Sequence, residues 1–321
     1  MRHQGRLMVS IGMCTIVLLA ASCGAGADRA SSVALTRLEV GAVPVAEAAI
    51  LLDSAIFAKH GIALSVKTYR SGAVIVDALI SGGVDLGYSN LLTPLISNSR
   101  DIPLRLIGPI TIEDEQRARH RLVTRRGDSI AAFRRRKVKI AINQSSNIDH
   151  LLLLRWLDEN AFDTSKVELK VIGFPQMLPA LRAREVDAVA AVEPFVTIAR
   201  RQPEAFDIHA NYMAAKNSSE PTAVSGFLVH AGWLAKHEDV AASLERALFE
   251  AMSRATEDPV GHVGRVARIT LSDSTTIREM PPVWYAVDST LSDLTRLEAV
   301  AAKYGFIGKR VDVSKLNRMR K

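Results

Sequence analysis

Polar and acidic side chains follow several short apolar runs of this sequence, and their types suit the binding of a small polar molecule. Ser71 and the pair Ser145-Ser146 each come just before a segment of helical spacing, and Glu193 directly follows the apolar run 186–192. Free backbone N–H groups and the helix dipole at a helix start favour an anionic or strongly accepting atom. A carboxylate such as Glu193 accepts hydrogen bonds from an amine or a heterocyclic N–H.

Each of these residues also has an ordinary structural interpretation. A serine before a helix is a common helix cap. Glu193 can instead favour the N-terminus of its own helix, since Pro194 suits a first helical turn. Phe195 is either a wall of a cleft or a core residue. The sequence alone leaves these alternatives open.

A pattern that occurs twice predicts how such residues are brought together. Ala78-Leu79 followed by Val84-Asp85 recurs as Ala180-Leu181 followed by Val186-Asp187. In each copy a segment of helical spacing leads into a short apolar run that ends in a polar or acidic turn. A strand, a helix and a second strand placed the same way in two halves predict two similar α/β lobes.

The predicted fold class is α/β, with two similar lobes, each a mostly parallel sheet flanked by helices, hinged around a central cleft. The predicted segments are a signal peptide (1–22), a lipid anchor and tether (23–34), lobe 1 (35–122 plus 226–321) and lobe 2 (123–225). The chain is expected to cross between lobes near 120–124 and 222–226. The helical tail from Trp233 onward, without a sheet of its own, is expected to cover the first lobe.

Ligands of open α/β sheets bind beyond the carboxyl ends of the strands. This rule selects the following candidate ligand-binding residues: Val43, Glu47, Ser71, Gly72, Ser89, Asn90, Gln144, Ser145, Ser146, Glu193 and Phe195. We expect Ser71, Asn90, Ser145 and Glu193 to converge on one small solute between the lobes, with Glu193 as the main source of selectivity for polar groups.

The first 23 residues have the features of an export leader: a basic start, the apolar stretch 7–21, and small residues before Cys23. This ending resembles the bacterial lipoprotein signal, in which the cysteine becomes the lipidated first residue. The alternative is a plain signal peptide cut near Ala25 or Ala27. The predicted location is therefore exported and membrane-anchored, on the periplasmic or extracellular face of a bacterial cell.

The net charge of +7 falls to +5 when Arg2 and Arg6 leave with the leader. Much of the excess lies in the stretch 117–139, which is a solvated face, a contact with a membrane or partner, or a nucleic-acid surface. Export argues against nucleic acid, and Phe133 is the one aromatic residue available for base stacking in that stretch. We predict no nucleic-acid partner.

Motifs of catalysis and metal binding are missing from the sequence. The eight histidines form no His-x-x-x-His or His-Glu-x-x-His pair, and neither Gly-x-Ser-x-Gly nor a phosphate-binding glycine loop occurs. Cys14 and Cys23 are the two cysteines, which excludes a cysteine zinc site and thiol catalysis in the body of the chain. We predict no catalytic residues, no metal and no cofactor.

Four segments, 38–41, 57–62, 82–87 and 186–195, resemble the solute-binding proteins of ABC importers, closest to the nitrate, sulfonate, taurine and thiamine-precursor type. The resemblance covers 35–235 well and the helical tail weakly. It implies a two-lobed, non-enzymatic binding protein that delivers a small-molecule solute to an ABC transporter permease. Many members carry an aromatic residue before the acidic-Pro turn, where this chain has Val192.

Three other functions stay open on sequence grounds. An enzyme on the same fold would make or convert a pyrimidine precursor, and an exported sensing protein would use the same cleft. The effector-sensing half of a transcription regulator would need a DNA-binding segment in place of an export leader. The sequence likewise leaves the solute open among a sulfonate, a nitrate-like anion, a pyrimidine and another amine or heterocycle.

Overall fold

The computed structural model of the chain describes residues 34–286 and 291–317, which form two β-sheets flanked by helices. The predicted α/β class with two sheet-based lobes is confirmed. The predicted signal peptide and all but the last residue of the predicted tether, Cys23 included, lie outside the described residues. Within the described part of the chain, no helix combines the length and apolar character needed to cross a bilayer.

The first sheet has six strands: β1 (Thr36–Ala42), β2 (Ile62–Thr68), β3 (Leu86–Asn90), β4 (Leu104–Glu113), β10 (Thr222–His230) and β11 (Tyr285–Ala286). Their order is β11-β4-β10-β3-β1-β2. β1 is parallel to β2 and β3, whereas β10 is antiparallel to both β3 and β4. The central strands are apolar and buried because helices cover both faces of the sheet.

The second sheet has five strands: β5 (His120–Arg125), β6 (Val138–Ile142), β7 (Val167–Val171), β8 (Ala188–Val192) and β9 (Phe206–Ile208). Their order is β7-β6-β8-β5-β9. β6 is parallel to β7 and β8, and β5 is antiparallel to β8 and β9. Each sheet therefore contains a reversed strand, β10 or β5, that follows a crossing of the chain.

The helices are α1 (Ser54–Lys59), α2 (Gly72–Ser81), α3 (Leu92–Ser99), α4 (Ile130–Phe133), α5 (Ile148–Glu159), α6 (Phe174–Arg182), α7 (Phe195–Arg200), α8 (Ala231–Lys236), α9 (Glu238–Glu257), α10 (Pro259–Thr270), α11 (Ser274–Glu279) and α12 (Leu291–Lys303). Three 3-10 helices span Ala46–Leu52, Thr164–Lys166 and Val313–Lys315.

The repeated sequence pattern has the same structural role in both lobes. The Asp85 carboxylate accepts from the backbone N–H of Glu39 at 2.9 Å, and the Asp85 N–H donates to the Glu39 carbonyl at 2.8 Å. Asp187 forms the matching pair with Lys139, at 2.8 Å in each direction. Each aspartate thus fixes the register between the start of its own strand and the neighbouring parallel strand.

Three expectations about the chain's course need correction. The helical spacing of residues 45–60, which stops before Gly61, predicts a single helix, but the structure divides it into the 3-10 helix and α1, because the Asp53 side chain caps α1. The tail contributes a short strand, β11, that pairs with β4 in the first sheet. The chain passes between the sheets at 114–119 and 209–221, so both predicted lobe boundaries fall inside strands that each belong wholly to one sheet.

A shared apolar cluster joins the two lobes through the C-terminal helix. α12 packs on α3 and β10 of the first lobe and on α5 of the second. Leu294 and Leu297 of α12 lie in one buried cluster with Leu92 of α3 and Leu151 of α5. The tail therefore covers part of both lobes, whereas the expectation placed it on the first alone.

Much of the basic stretch 117–139 is paired within the fold. Arg125 contacts Asp128 at 2.8 Å, Arg126 contacts Asp207 at 2.9 Å and Arg136 contacts Asp187 at 3.0 Å. Arg119 is buried. The charge count of this stretch thus overstates the number of cations it presents to solvent.

Candidate ligand site between the two sheets

A cavity opens where the carboxyl ends of strands from both sheets meet. Its unfilled space, counted together with solvent at its mouth, is about 580 Å³, of which about 60 Å³ can hold the centre of a water molecule. Seven of the predicted site residues line it: Val43, Glu47, Ser71, Gly72, Ser89, Asn90 and Gln144. The rule that placed ligands beyond the strand ends thus brings residues of both lobes to one space.

The first lobe supplies the start of α2 and a tightly packed glycine. Ser71 is the N-cap of α2, and its hydroxyl makes no capping hydrogen bond, which leaves it available to the cavity. A Cβ on Gly72 would overlap the Ser89 hydroxyl and lie 2.6 Å from Thr93 Oγ1. Asn90 Oδ1 accepts from the N–H groups of Leu92 and Thr93 at 3.2 Å each, so this side chain also caps α3.

The second lobe supplies a network of amides at the start of α5. Asn147 Oδ1 accepts from the His150 N–H at 3.0 Å, and Asn147 Nδ2 donates to Asn143 Oδ1 at 2.7 Å and to Asp149 Oδ2 at 2.9 Å. Gln144 also lines the cavity. These contacts fix the amide wall that faces α2 of the first lobe.

Glu47, on the floor of the cavity, belongs to a buried ion pair. Arg119 Nε donates to Glu47 Oε1 at 2.7 Å, and Arg119 Nη1 donates to the Pro281 carbonyl. The Glu47 and Arg119 side chains are 7% and 2% exposed. Because Arg119 lies in the crossing segment 114–119, the pair fastens that segment to the first lobe.

His120 carries the second charged group of the floor. Its Nδ1 donates to Glu113 Oε1 at 2.5 Å, and its Nε2 lies 3.6 Å from Asp149 Oδ1. Burial alone would lower the pKa of His120, but the charges of Glu113 and Asp149 outweigh burial and raise the pKa to about 9. The ring is therefore an imidazolium at neutral pH. Burial raises the pKa of Asp149, which His120 and the hydroxyl of Tyr212 oppose.

Glu193 does not reach the cavity. It is 1% exposed, and its Oε2 accepts from the Thr197 N–H at 3.0 Å, within the first turn of α7. Burial raises the pKa of Glu193 against the opposing charge of Arg119. The structure therefore favours the alternative interpretation, in which this carboxylate serves its own helix N-terminus. Val192 lines the cavity instead, and alternation along an extended chain turns the next side chain away.

Three other predicted site residues also lie elsewhere. Phe195 stacks on Phe174 with ring centroids 6.1 Å apart and lines a separate surface groove. Ser146 donates its N–H to His150 Nδ1 at 3.1 Å and lines a neighbouring depression beside Phe306. Ser145 lines neither space. Of the four residues expected to converge on one solute, Ser71 and Asn90 thus line the cavity, whereas Ser145 and Glu193 do not.

The rule based on strand ends missed several cavity residues, because they belong to strands that run antiparallel to their neighbours. His120 begins β5 and pairs with Val192 at the end of β8, because β5 runs antiparallel. Ser225 lies inside β10, opposite Asn90, and its hydroxyl is 2.6 Å from that of Tyr88. A rule based on the carboxyl ends of strands cannot select residues from reversed strands. Among the described residues, no cluster of three or more His, Cys, Asp and Glu side chains is placed to hold a metal ion.

Comparison with known proteins places this architecture in a recognised group. Residues 108–269, half of the chain, match the model of the NMT1-like family. No curated protein matches the chain in a sequence search.

Three solved structures illustrate the likeness in fold. The periplasmic aliphatic sulphonate binding protein SsuA from Escherichia coli has 16% identity and a TM-score of 0.71, over 89% of this chain and 92% of that one. The ligand-binding component of an ABC-type import system from Staphylococcus aureus, with zinc bound, has 11% identity and a TM-score of 0.75, over 88% and 96%. The periplasmic nitrate-binding protein NrtA from Synechocystis PCC 6803 has 15% identity and a TM-score of 0.72, over 88% and 86%. At these identities the likeness establishes the fold.

Proposed function

Because this chain belongs to the NMT1-like family, we propose that it is an exported solute-binding protein that captures one small molecule between its lobes and delivers it to an ABC importer. The observation that carries the proposal is the cavity itself, which takes polar groups from both sheets. Ser71 and Asn90 come from the first lobe, and Gln144 and Asn147 from the second. A site shared by two lobes is one that a ligand can close.

The names of the similar structures support a transport role. They include binding proteins for aliphatic sulphonates and for nitrate, and a ligand-binding component of an ABC-type import system. A protein with this role needs an external location and a membrane permease as partner. The leader and Cys23 supply the basis for the first requirement, and we propose that acylated Cys23 anchors the protein to the membrane.

We propose binding and not turnover, because each charged group of the floor is held in an ion pair, in which Glu47 uses one of its two carboxylate oxygens. Glu47 is held by Arg119 and His120 by Glu113. The hydroxyls of Tyr88 and Ser225 are also engaged with each other. A general base must lie within reach of a substrate proton, and a nucleophile needs an adjacent base. These pairs instead give a rigid polar surface of the kind that selects a ligand.

Capture of a solute by the full-length protein in detergent tests the proposal. The protein is dialysed to equilibrium against a bacterial metabolite extract, and retained solutes are identified by mass spectrometry. We expect one solute per chain. Ser71→Phe places a ring at the half-buried rim of the cavity and should abolish retention, whereas Ser81→Phe, at the exposed far end of α2, should not. Failure of the parent protein to retain any solute would contradict the proposal.

A further inference from the structure

We infer that the solute carries a positively charged N–H group, such as a protonated amine, and that Glu47 is the residue that accepts a hydrogen bond from it. The inference rests on the proposed function, because it concerns the ligand of the same cavity. The charged N–H group is the end of the ligand that meets the buried floor, where Glu47, His120 and Asp149 lie together.

Glu47 has one oxygen engaged and one available. Its Oε1 accepts from Arg119 Nε at 2.7 Å, and no described residue donates a hydrogen bond to its Oε2. The residue is 5% exposed and lines the cavity. A ligand N–H group at this position would find an acceptor in the cavity wall.

The other carboxylate on the cavity wall is already satisfied. Asp149 Oδ1 accepts from the Tyr212 hydroxyl at 2.8 Å, and Asp149 Oδ2 accepts from Asn147 Nδ2 at 2.9 Å. The positively charged ring of His120 also stabilises this carboxylate, with its Nε2 3.6 Å from Asp149 Oδ1. Among the residues that the structure describes, Glu47 is therefore the cavity-lining carboxylate with an oxygen that no donor occupies.

The balance of buried charge points to the same ligand chemistry. The groups at and beside the floor are three carboxylates, those of Glu47, Glu113 and Asp149, and two cations, Arg119 and His120, which is an excess of one acidic group. Burial raises the pKa of Asp149 and so weakens its share of the negative charge. A ligand cation on the floor cancels this excess, whereas an anion there would add to it.

The rim of the cavity differs from the floor. Arg70 is the exposed charged residue of the lining, and it adjoins Ser71 at the start of α2. An anionic group of the ligand is compatible with this end, where solvent and a cation are both present. The cavity is thus acidic at its floor and basic at its rim. A ligand with an amine at one end and an acceptor at the other matches this distribution of charge, and a simple inorganic anion does not.

The extract experiment on the full-length protein also tests this inference, with Glu47→Gln as the variant and Glu39→Gln as its control. Glu39 is a half-exposed carboxylate of β1 that pairs with Lys67 at 2.7 Å, away from the cavity. We expect the retained solute to carry an amine or another cationic N–H group. Glu47→Gln should weaken its binding by about ten- to a hundredfold, the loss expected for a hydrogen bond to a charged group. Glu39→Gln should bind like the parent.

The outcomes separate the two proposals. A retained solute without a cationic N–H group, or a folded Glu47→Gln protein that binds as tightly as the parent, overturns this inference and leaves the proposed function intact. Retention of no solute overturns both. If thermal unfolding shows that Glu47→Gln is not folded, the inference is tested on the unmodified protein by comparing its affinities for two ligands. Its affinity for the retained solute must then exceed its affinity for the analogue with a hydroxyl in place of the amine.

Discussion

The Arg119 guanidinium lies 2.7 Å from the Glu47 carboxylate, with both side chains almost fully removed from solvent. One partner belongs to a segment that passes between the sheets and the other to the first lobe. Breaking such a pair leaves an uncompensated buried charge, which costs more than the pair contributes when it is intact. The interaction therefore contributes to holding the crossing segment against the first lobe.

Replacement of Arg119 should destabilise the protein strongly. We expect Arg119→Met to lower the free energy of unfolding by about 3–5 kcal/mol, because Glu47 would lose its buried cation. Arg117→Met is the matched control, since Arg117 pairs with Asp114 near the surface and its loss should cost about 0.5 kcal/mol or less. Urea denaturation of both variants measures the difference. Equal losses of unfolding free energy in the two variants would show that the buried pair contributes no more than the surface pair.

Because the pKa of His120 is raised, the protein should lose stability as the pH becomes alkaline. A histidine whose folded pKa is about 9 contributes stability that is fully present below its unfolded pKa of about 6.5 and is lost as pH rises through 9. The shift corresponds to about 3 kcal/mol, which we expect the parent to lose between pH 6 and pH 10. His120→Gln should lack this component in denaturant titrations.

His262 supplies the control for this pH effect. Burial lowers the pKa of His262 to about 4, so its protonation destabilises the fold only as pH falls below about 6.5. His262→Gln should therefore keep the parent's alkaline loss of stability. An alkaline profile that stays unchanged in His120→Gln would contradict the assignment.

Two glycines should respond to the same substitution with opposite signs. Gly72→Ala places a Cβ against the Ser89 hydroxyl and 2.6 Å from Thr93 Oγ1, which should lower the free energy of unfolding by about 1–3 kcal/mol. Gly264 lies on the exposed side of α10 with no atom within 4 Å of a built Cβ. Gly264→Ala should raise stability by about 0.5–1 kcal/mol through helix propensity. Thermal unfolding of both variants gives the signs, and a stable Gly72→Ala protein would contradict the tight packing of α2.

The proposed anchor depends on Cys23. We expect Cys23→Ser to move the protein from the membrane fraction to the soluble exported fraction, because acyl chains supply the membrane affinity. Cys14→Ser, within the predicted leader, should leave the distribution unchanged. Cell fractionation with immunoblotting distinguishes the two. Membrane-bound Cys23→Ser protein would rule out this cysteine as the anchor.

Local patterns in the sequence predict part of the fold closely. The short apolar runs 138–142 and 167–171 predict strands and the helical spacing of 148–159 predicts a helix, and these ranges coincide with β6, β7 and α5. These elements have strong periodicity, and Asn147 gives α5 a clear cap. The repeated Asp85 and Asp187 likewise predicted two lobes, because each anchors a strand within its own half.

Long-range arrangement explains what the sequence did not predict. Arg119 and His120 were visible only as members of a basic stretch, because their partners Glu47 and Asp149 are distant along the chain. The direction of Glu193 depended on whether Val192 faced the cavity, which a one-residue change of phase reverses. Pairing across reversed strands and the phase of a strand are properties of the assembled sheet.

The interleaved first sheet also has a consequence for the order in which the chain becomes complete. The second sheet uses one continuous segment, 120–208, whereas β4 pairs in the first sheet only with β10 and β11, which come from residues after 221. During synthesis from the N-terminus, β4 therefore has unpaired backbone groups at a stage when all strands of the second sheet have already been made. Unpaired apolar edges invite association with other chains. A chain truncated before residue 222 should therefore aggregate, because β4 would keep an unpaired apolar edge.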